Sequence, residues 1–422
     1  MEEIIKKLGK YICEKAENNP QHVKNVLNLA FKLYELKLRY FPDKRLPKSR
    51  QYSATYIANI ISEISANKSV SALVNIFMPC ELLDTFGITP MCAELYSAYL
   101  TGAYAESVFS TIAQNAGVPE TFCSYHKILL GCAYSKVFPK PSFAINSSFA
   151  CDANNLTFSE LAKFYNIPHF YIDVPSNQSQ KDISYVAEQL KKLSEFLERQ
   201  TKIKFDEKKL KTNLIRSQQT IQNLRLCLKE KSRHCLSNTM TSELYEIYML
   251  HNALGTKEAL KYSEMLCSEI QNSPSPQKPR VLWIHTTPFW QEVAQDIFNF
   301  NNKCEIVACD MNFENLIDID PDKPWESMAK RLVLSNWNSG LKRIETAIKM
   351  AKKLNVDGAI CFCHWGCKQT NGISSLLKFE LEKNGFPTLI LNGDGCDRKN
   401  SSDGQISTRL NAFIELLEKK HG

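Results

Sequence analysis

The stretch DGAICFCHWGCKQTNGISSLLKFELEKNGFPTLILNGD, residues 357–394, decides the fold of this chain. It opens with a short β-type run, DGAICFC, and continues into a helical segment, GISSLLKFELEKNG. After Pro387 it closes with a second apolar run, PTLILNGD. Short apolar runs that alternate with helical segments are typical of parallel strands joined by crossover helices. The stretch therefore predicts an α/β domain.

A similar arrangement occurs earlier in the chain. The run INSSFACD (145–152) ends in a cysteine-bearing loop, the helical FSELAKFYN follows, and PHFYID (168–173) is a second strand. In both regions a proline precedes a strand that ends in aspartate. This weak internal symmetry predicts two similar Rossmann- or flavodoxin-like domains. Parallel sheets bind ligands beyond the carboxyl ends of their strands, so we expect a cleft between the two.

The distribution of helical and strand-like segments along the chain gives the expected domain boundaries. We predict a helical N-terminal segment over residues 1–70, a first α/β domain over 71–177, and a second α/β domain over 280–422. Residues 178–279 form a helical connector that ends in the linker SPSPQKP, because clustered Pro and Ser cannot continue a helix. Within the first domain, the apolar period of residues 93–117 predicts one long helix.

Composition excludes several classes of protein. The chain has 422 residues, of which 44% are hydrophobic and 23% charged, which is the balance of a folded globular protein. The net charge of +7 is spread without a basic block, so no nucleic-acid partner is expected. No apolar run approaches the ~20 residues of a membrane span, and the first residues lack the pattern of a signal peptide. We expect a cytoplasmic protein without a membrane partner.

The chain has fifteen cysteines, an odd number that argues against a disulfide framework. Cys123 opens a predicted helix, and other cysteines follow predicted strands: Cys80, Cys92, Cys151, Cys361, Cys363, Cys367 and Cys396. A helix N-terminus favours the thiolate that a metal requires. By contrast, we expect five cysteines away from the strand ends to be buried as apolar side chains without a metal: Cys13, Cys227, Cys235, Cys267 and Cys304.

Two kinds of metal site remain open at this point. The segment CFCHWGC (361–367) has cysteine and histidine spacings that could hold one zinc ion. An iron–sulfur cluster held from scattered loops accounts better for the surplus of cysteines. Spacing alone does not separate the two.

Three stretches give the chain a resemblance to a known family: PCELLDTFGITPM (79–91), the pair CSYHKILLG (123–131) and SSFACDANNLTF (147–158), and the segment 357–394. The closing QISTRLNAFIELLE (405–418) adds to it. These stretches resemble the 2-hydroxyacyl-CoA dehydratase D-component family, which also includes benzoyl-CoA reductase subunits.

The resemblance implies a cofactor, a reaction and partners. Family members hold a 4Fe–4S cluster through three cysteines, and the matching residues are Cys123, Cys151 and Cys367. One iron is left open. A separate iron–sulfur ATPase activates such enzymes by injecting one electron, which converts the thioester carbonyl to a ketyl radical anion that expels the hydroxyl group. The resemblance thus implies an oxygen-sensitive, anaerobic hydro-lyase acting on an acyl-CoA, together with a homologous second subunit or a homodimer. The chain has no G-x-x-x-x-G-K-[ST] motif, so ATP chemistry is assigned to the partner.

Other readings stay open. Some relatives carry a double-cubane 8Fe–9S cluster on additional cysteines and are ATP-dependent reductases of small molecules; here those cysteines are Cys80, Cys92, Cys363 and Cys396. A benzoyl-CoA-reductase-like subunit, a non-catalytic electron-relay protein and a zinc-binding module are further alternatives.

Two residues are predicted to assist catalysis. His364, beside Cys367, could donate a hydrogen bond or proton to a bound carbonyl, and Ser147 could orient a hydroxyl ligand. His126, which follows Cys123, is a candidate to support a metal ligand.

Overall fold

The computed structural model describes residues 2–419 and confirms the α/β class with two parallel sheets. The first sheet contains β1 (Ser71–Val74), β2 (Thr89–Cys92), β3 (Phe143–Ser147) and β4 (His169–Ile172). The second contains β5 (Arg280–Ile284), β6 (Glu305–Cys309), β7 (Gly358–His364) and β8 (Thr388–Gly393).

Helices make up most of the rest. The N-terminal region is helical, as predicted, with α1 (Glu2–Lys15), α2 (Pro20–Tyr40) and α3 (Lys48–Ser65). Around the first sheet lie α4 (Glu81–Thr85), α5 (Ala93–Gly102), α6 (Glu106–Asn115), α7 (Ser124–Tyr134) and α8 (Asp152–Tyr165). Between the sheets in sequence come α9 (Gln180–Thr201), α10 (Glu207–Glu230), α11 (Met240–His251) and α12 (Lys257–Gln271). After β5 in sequence come α13 (Glu292–Phe298), α14 (Pro324–Val333), α15 (Gly340–Leu354), α16 (Lys368–Lys383) and α17 (Asp403–Glu418).

The two sheets have the same strand order. The first runs β2-β1-β3-β4 and the second β6-β5-β7-β8, with every pairing parallel. In each sheet the order reverses beside the first strand, between β1 and β3 and between β5 and β7. Ligands bind at such switch points, beyond the carboxyl ends of the strands. The topology therefore marks the loops after β3, β5 and β7 as the place to look for a site.

The central strands are buried because helices cover both faces of each sheet. All residues of β1, β3, β5 and β7 are buried, which explains their nearly continuous apolar sequences. Trp283 in β5 is the largest fully buried side chain, and its indole N–H donates to the Thr286 carbonyl at 3.0 Å. That bond ties the loop after β5 to the core.

One local prediction was wrong, and one helix was missed. Residues 93–117 form not one helix but α5 and α6, separated at Tyr104, whose φ is 57°. A Cβ added at Gly9 of α1 would lie 2.5 Å from the Tyr104 Cβ, so α1 packs closely on the break. Helix α14 was not predicted at all. The division into four segments, 1–70, 71–177, 178–279 and 280–422, stays a prediction.

Among residues 2–419, no helix combines the length and the apolar character that crossing a membrane requires.

Candidate active site

Three cysteines occupy equivalent positions at the starts of three helices. Cys123 is the N-cap residue of α7, Cys151 that of α8 and Cys367 that of α16. None of the three caps its helix through a side-chain hydrogen bond. Their sulfurs thus remain free for another ligand, while the positive ends of three helix dipoles favour negative charge there.

The three cysteines line one cavity of about 680 Å³. The sequence separates Cys367 from the other two by more than 200 residues, yet loops after strands of both sheets bring them together. Most of the remaining wall is apolar, with residues such as Phe77, Leu156 and Ile247. This volume and lining suit a small-molecule ligand.

Gly366 allows the two sheets to approach at this point. Its φ is +78°, and a Cβ there would lie 2.6 Å from the backbone nitrogen and 2.7 Å from the Cα of Cys123. Only glycine accepts both the backbone conformation and the contact without strain. Gly366 therefore places Cys367 beside Cys123.

Burial favours the protonated form of the Cys123 and Cys151 thiols. Burial raises the pKa of Cys151 to about 12, and the charges of Glu94 and Cys367 add to the effect. Burial also raises the pKa of Cys123 well above its usual value, as do the charges of Cys151 and Cys367. This mutual influence shows that the three sulfurs lie within electrostatic range. A cationic group bound among them would offset both effects.

The donors fit a multi-iron cluster better than a single ion. Within residues 2–419, no three His, Cys, Asp or Glu side chains are grouped to hold one metal ion. A cluster contacts each thiolate through a different iron, so its thiolates lie further apart than those around one zinc ion. The zinc arrangement within CFCHWGC does not form, because Cys363 packs in the core while His364, next along the strand, lines the cavity.

His364 faces a sulfur. Its Nδ1 accepts a hydrogen bond from the Gly395 backbone N–H at 3.0 Å, so the ring proton resides on Nε2. Nε2 lies 3.4 Å from the Cys123 sulfur. Burial lowers the pKa of His364 and keeps the ring neutral. His364 thus donates to Cys123; its predicted contact with a substrate carbonyl stays a prediction.

Other predicted residues are placed less directly. Ser147 ends β3 with its hydroxyl buried and unpartnered among the described residues, and it does not line the cavity, whereas the adjacent Ser148 does. The catalytic role of Ser147 stays a prediction. His126 does line the cavity, with Nε2 3.9 Å from the Cys151 sulfur, and burial lowers its pKa to about 3.

The four additional candidate ligands are buried outside the cavity wall: Cys80, Cys92, Cys363 and Cys396. The thiol of Cys80 donates to the Met78 carbonyl at 3.3 Å, and Cys396 lies 3.0 Å from the Thr101 hydroxyl. These thiols are engaged with the protein around them.

Three cavity residues were not foreseen. Glu94, in the first turn of α5, has a pKa that burial raises to about 7. His285 follows β5 and stacks on Trp337 of the loop before α15. The run RVLWIHTT (280–287) predicts a strand that includes His285, so the sequence did not indicate its place in the cavity. For Glu94 and Trp337, neither periodicity nor spacing indicated a place in the cavity.

Taken with the fold, these residues define a class: a two-sheet α/β protein with a cysteine-lined cleft where the sheets meet. Comparison with known proteins then identifies the family. Residues 75–417 match the family described as 2-hydroxyglutaryl-CoA dehydratase, D-component. The chain belongs to this family, as the resemblance indicated.

Named relatives are dehydratase subunits, in agreement with the predicted enzyme class. The chain is 23% identical to the (R)-phenyllactyl-CoA dehydratase alpha subunit of Clostridium sporogenes, covering 81% of this chain and 88% of the relative. It is also 23% identical to the lactoyl-CoA dehydratase subunit alpha of Anaerotignum propionicum, covering 81% and 89%. Identity to the (R)-2-hydroxyglutaryl-CoA dehydratase subunit alpha of Acidaminococcus fermentans is 22%, covering 66% and 61%.

Proposed function

We propose that this protein is the iron–sulfur subunit of a 2-hydroxyacyl-CoA dehydratase, a hydro-lyase that removes water from the acyl thioester. The observation that most directly supports this proposal is the position of three cysteines. Each lies at a helix N-terminus and all line one cavity: Cys123, Cys151 and Cys367. Membership of the dehydratase family and the names of its relatives support the reaction class.

Cys123, Cys151 and Cys367 would hold a 4Fe–4S cluster. Such a cluster, with one iron not ligated by protein, supplies one-electron chemistry and Lewis acidity to the acyl group. The hydrogen that has to leave a 2-hydroxyacyl thioester is not acidic enough for ordinary elimination, which is why one-electron reduction of the carbonyl is needed. The apolar wall around Leu156 and Ile247 would keep water from the reduced substrate.

The proposal requires two partners. The relatives are named alpha subunits, which supports a second subunit in the complex. A separate iron–sulfur ATPase would deliver the electron.

Anaerobic purification followed by iron and sulfide quantitation tests the proposal. We expect about four irons per chain in the wild type and strong loss after serine replacement of Cys123, Cys151 or Cys367. Cys304→Ser is the matched control, because Cys304 is fully buried and lies outside the cavity wall. Iron retained in all three site variants would contradict the ligand assignment.

The same measurements separate the alternatives. About eight irons per chain, lost on replacing Cys80, Cys92, Cys363 or Cys396, would indicate the double-cubane reductase instead. Zinc in aerobically purified protein without visible absorption would indicate a zinc module. A loaded cluster without acyl-CoA binding would indicate an electron relay.

A further inference from the structure

His285 is held in a backbone conformation that disfavours side chains. Its φ is +83°, a region that glycine adopts readily and a residue with a Cβ rarely does. Two hydrogen bonds keep it there: its N–H donates to Asp310 Oδ1 at 2.7 Å, and its carbonyl accepts from the Cys309 thiol at 3.0 Å. Strained residues of this kind concentrate at binding and catalytic sites.

The surroundings fix the imidazole as firmly as the backbone. The ring stacks on Trp337 at a centroid distance of 5.7 Å and on His364 at 5.9 Å. The guanidinium carbon of Arg343 lies 3.6 Å from the centroid of the Trp337 ring, and Arg343 Nη2 pairs with Asp310 Oδ2 at 2.7 Å. Asp310 thus holds the His285 backbone directly. It supports the imidazole indirectly, through Arg343 and Trp337.

One nitrogen of the imidazole, Nδ1, nevertheless has no hydrogen-bond partner among residues 2–419. His285 is only 7% exposed and lines the cavity, and its Nδ1 is buried and unpaired among the described residues. Burial lowers its pKa well below the usual value, so the ring is neutral, with one donor and one acceptor nitrogen. The protein thus leaves hydrogen-bonding capacity of the imidazole unused at the cavity wall, and a polar ligand in the cavity could use it.

We infer that His285 is a substrate-binding residue whose imidazole forms a hydrogen bond with an oxygen of the 2-hydroxyacyl group in the cavity. The inference rests on the proposed function and deepens it. The oxygen is the 2-hydroxyl or the thioester carbonyl, which lie on neighbouring carbons of the same ligand. A glycine at this position would satisfy the backbone better, so the strained histidine points to a role for its side chain.

His285→Gly is the test variant, because glycine accepts φ +83° without strain. Binding of lactoyl-CoA and of propionyl-CoA, which lacks the 2-hydroxyl, is measured by anaerobic calorimetry on the complex as purified. The activator is omitted so that no turnover occurs. Asn355→Gly is the control: Asn355 has a φ of 53°, caps the C-terminus of α15 and does not line the cavity.

We expect His285→Gly to weaken lactoyl-CoA binding roughly five- to tenfold, the range for one hydrogen bond, with Asn355→Gly unchanged. If the partner oxygen is the hydroxyl, the preference for lactoyl-CoA over propionyl-CoA falls as well; if it is the carbonyl, both affinities fall together. His285→Asn, whose side chain is shorter than the imidazole and whose backbone tolerates a positive φ, replaces the glycine variant if that variant does not fold.

Two outcomes separate the inference from the proposed function. Equal affinities in wild type and His285 variants, with binding intact, would overturn the role of His285 and leave the dehydratase assignment standing. Wild-type protein that carries its cluster but binds neither thioester would overturn both.

Discussion

The close approach at Gly366 gives the sharpest prediction. In Gly366→Ala the new Cβ would sit 2.6–2.7 Å from three backbone atoms of Phe122 and Cys123, far inside van der Waals contact. Backbone cannot swing aside as a side-chain tip can, so the segments must separate. The left-handed conformation costs about 1–2 kcal/mol for alanine, and overpacking costs about 1–3 kcal/mol more. We expect a loss of roughly 2–5 kcal/mol in the free energy of unfolding.

Urea unfolding followed by circular dichroism measures that loss, and iron content measures the effect on the site. Because the substitution pushes Cys367 away from Cys123, iron per chain should fall as well. Gly372→Ala is the matched control, since Gly372 lies within α16 and a Cβ there meets no atom within 4 Å. Alanine is the better helix former by about 1 kcal/mol, so this variant should be equally or more stable with full iron content. A Gly366→Ala protein with the wild-type unfolding midpoint and iron content would refute the reasoning.

Three further changes have defined outcomes. His364→Phe removes the hydrogen bond to Cys123 and should lower the cluster reduction potential by roughly 40 mV, equivalent to ~1 kcal/mol per electron; an unchanged potential in spectroscopic titration would contradict that hydrogen bond. Arg343→Met leaves the buried Asp310 carboxylate without its charged partner and should cost about 3–5 kcal/mol in urea unfolding, whereas a near-wild-type midpoint would contradict a stabilising role for this ion pair. Burial raises the pKa of Glu35, but hydrogen bonds from two basic neighbours on α2 outweigh it and hold the pKa below 4.5. This stabilisation, about 1 kcal/mol, is present at neutral pH and lost as pH falls through that lowered pKa, so the stability difference between wild type and Glu35→Gln should shrink in acid; a constant difference across pH would count against it.

Much of the fold could be predicted from the sequence because parallel strands and their crossover helices have local signatures. The strands around Ile145 and Ile360 are apolar runs bounded by polar loops, and the structure contains both. The break at Tyr104 could not be predicted, since it depends on contact with α1, some 90 residues earlier. The hydrophobic periodicity of one segment contains no information about its contacts with distant segments.

The site likewise contains some residues that the sequence indicated and others that only the structure showed. Thiols at strand ends and helix starts indicated a group of eight candidate cysteines, and only the family resemblance singled out Cys123, Cys151 and Cys367 among them. Trp337 was missed because only the tertiary path of the loop before α15 brings it to His285. Residues whose role depends on a neighbour distant in sequence require the structure.

Cys367 follows a strand of the second sheet, whereas Cys123 and Cys151 lie among the elements of the first, and this placement has a thermodynamic consequence. A group held by all three cysteines adds its binding free energy to the folded state of both halves of the chain at once. Because one hydrophobic core is continuous across both sheets, the loaded and the stripped protein should each melt in a single transition, with the loaded protein melting at the higher temperature. Calorimetry could therefore detect loss of the inorganic group as a fall in the melting temperature.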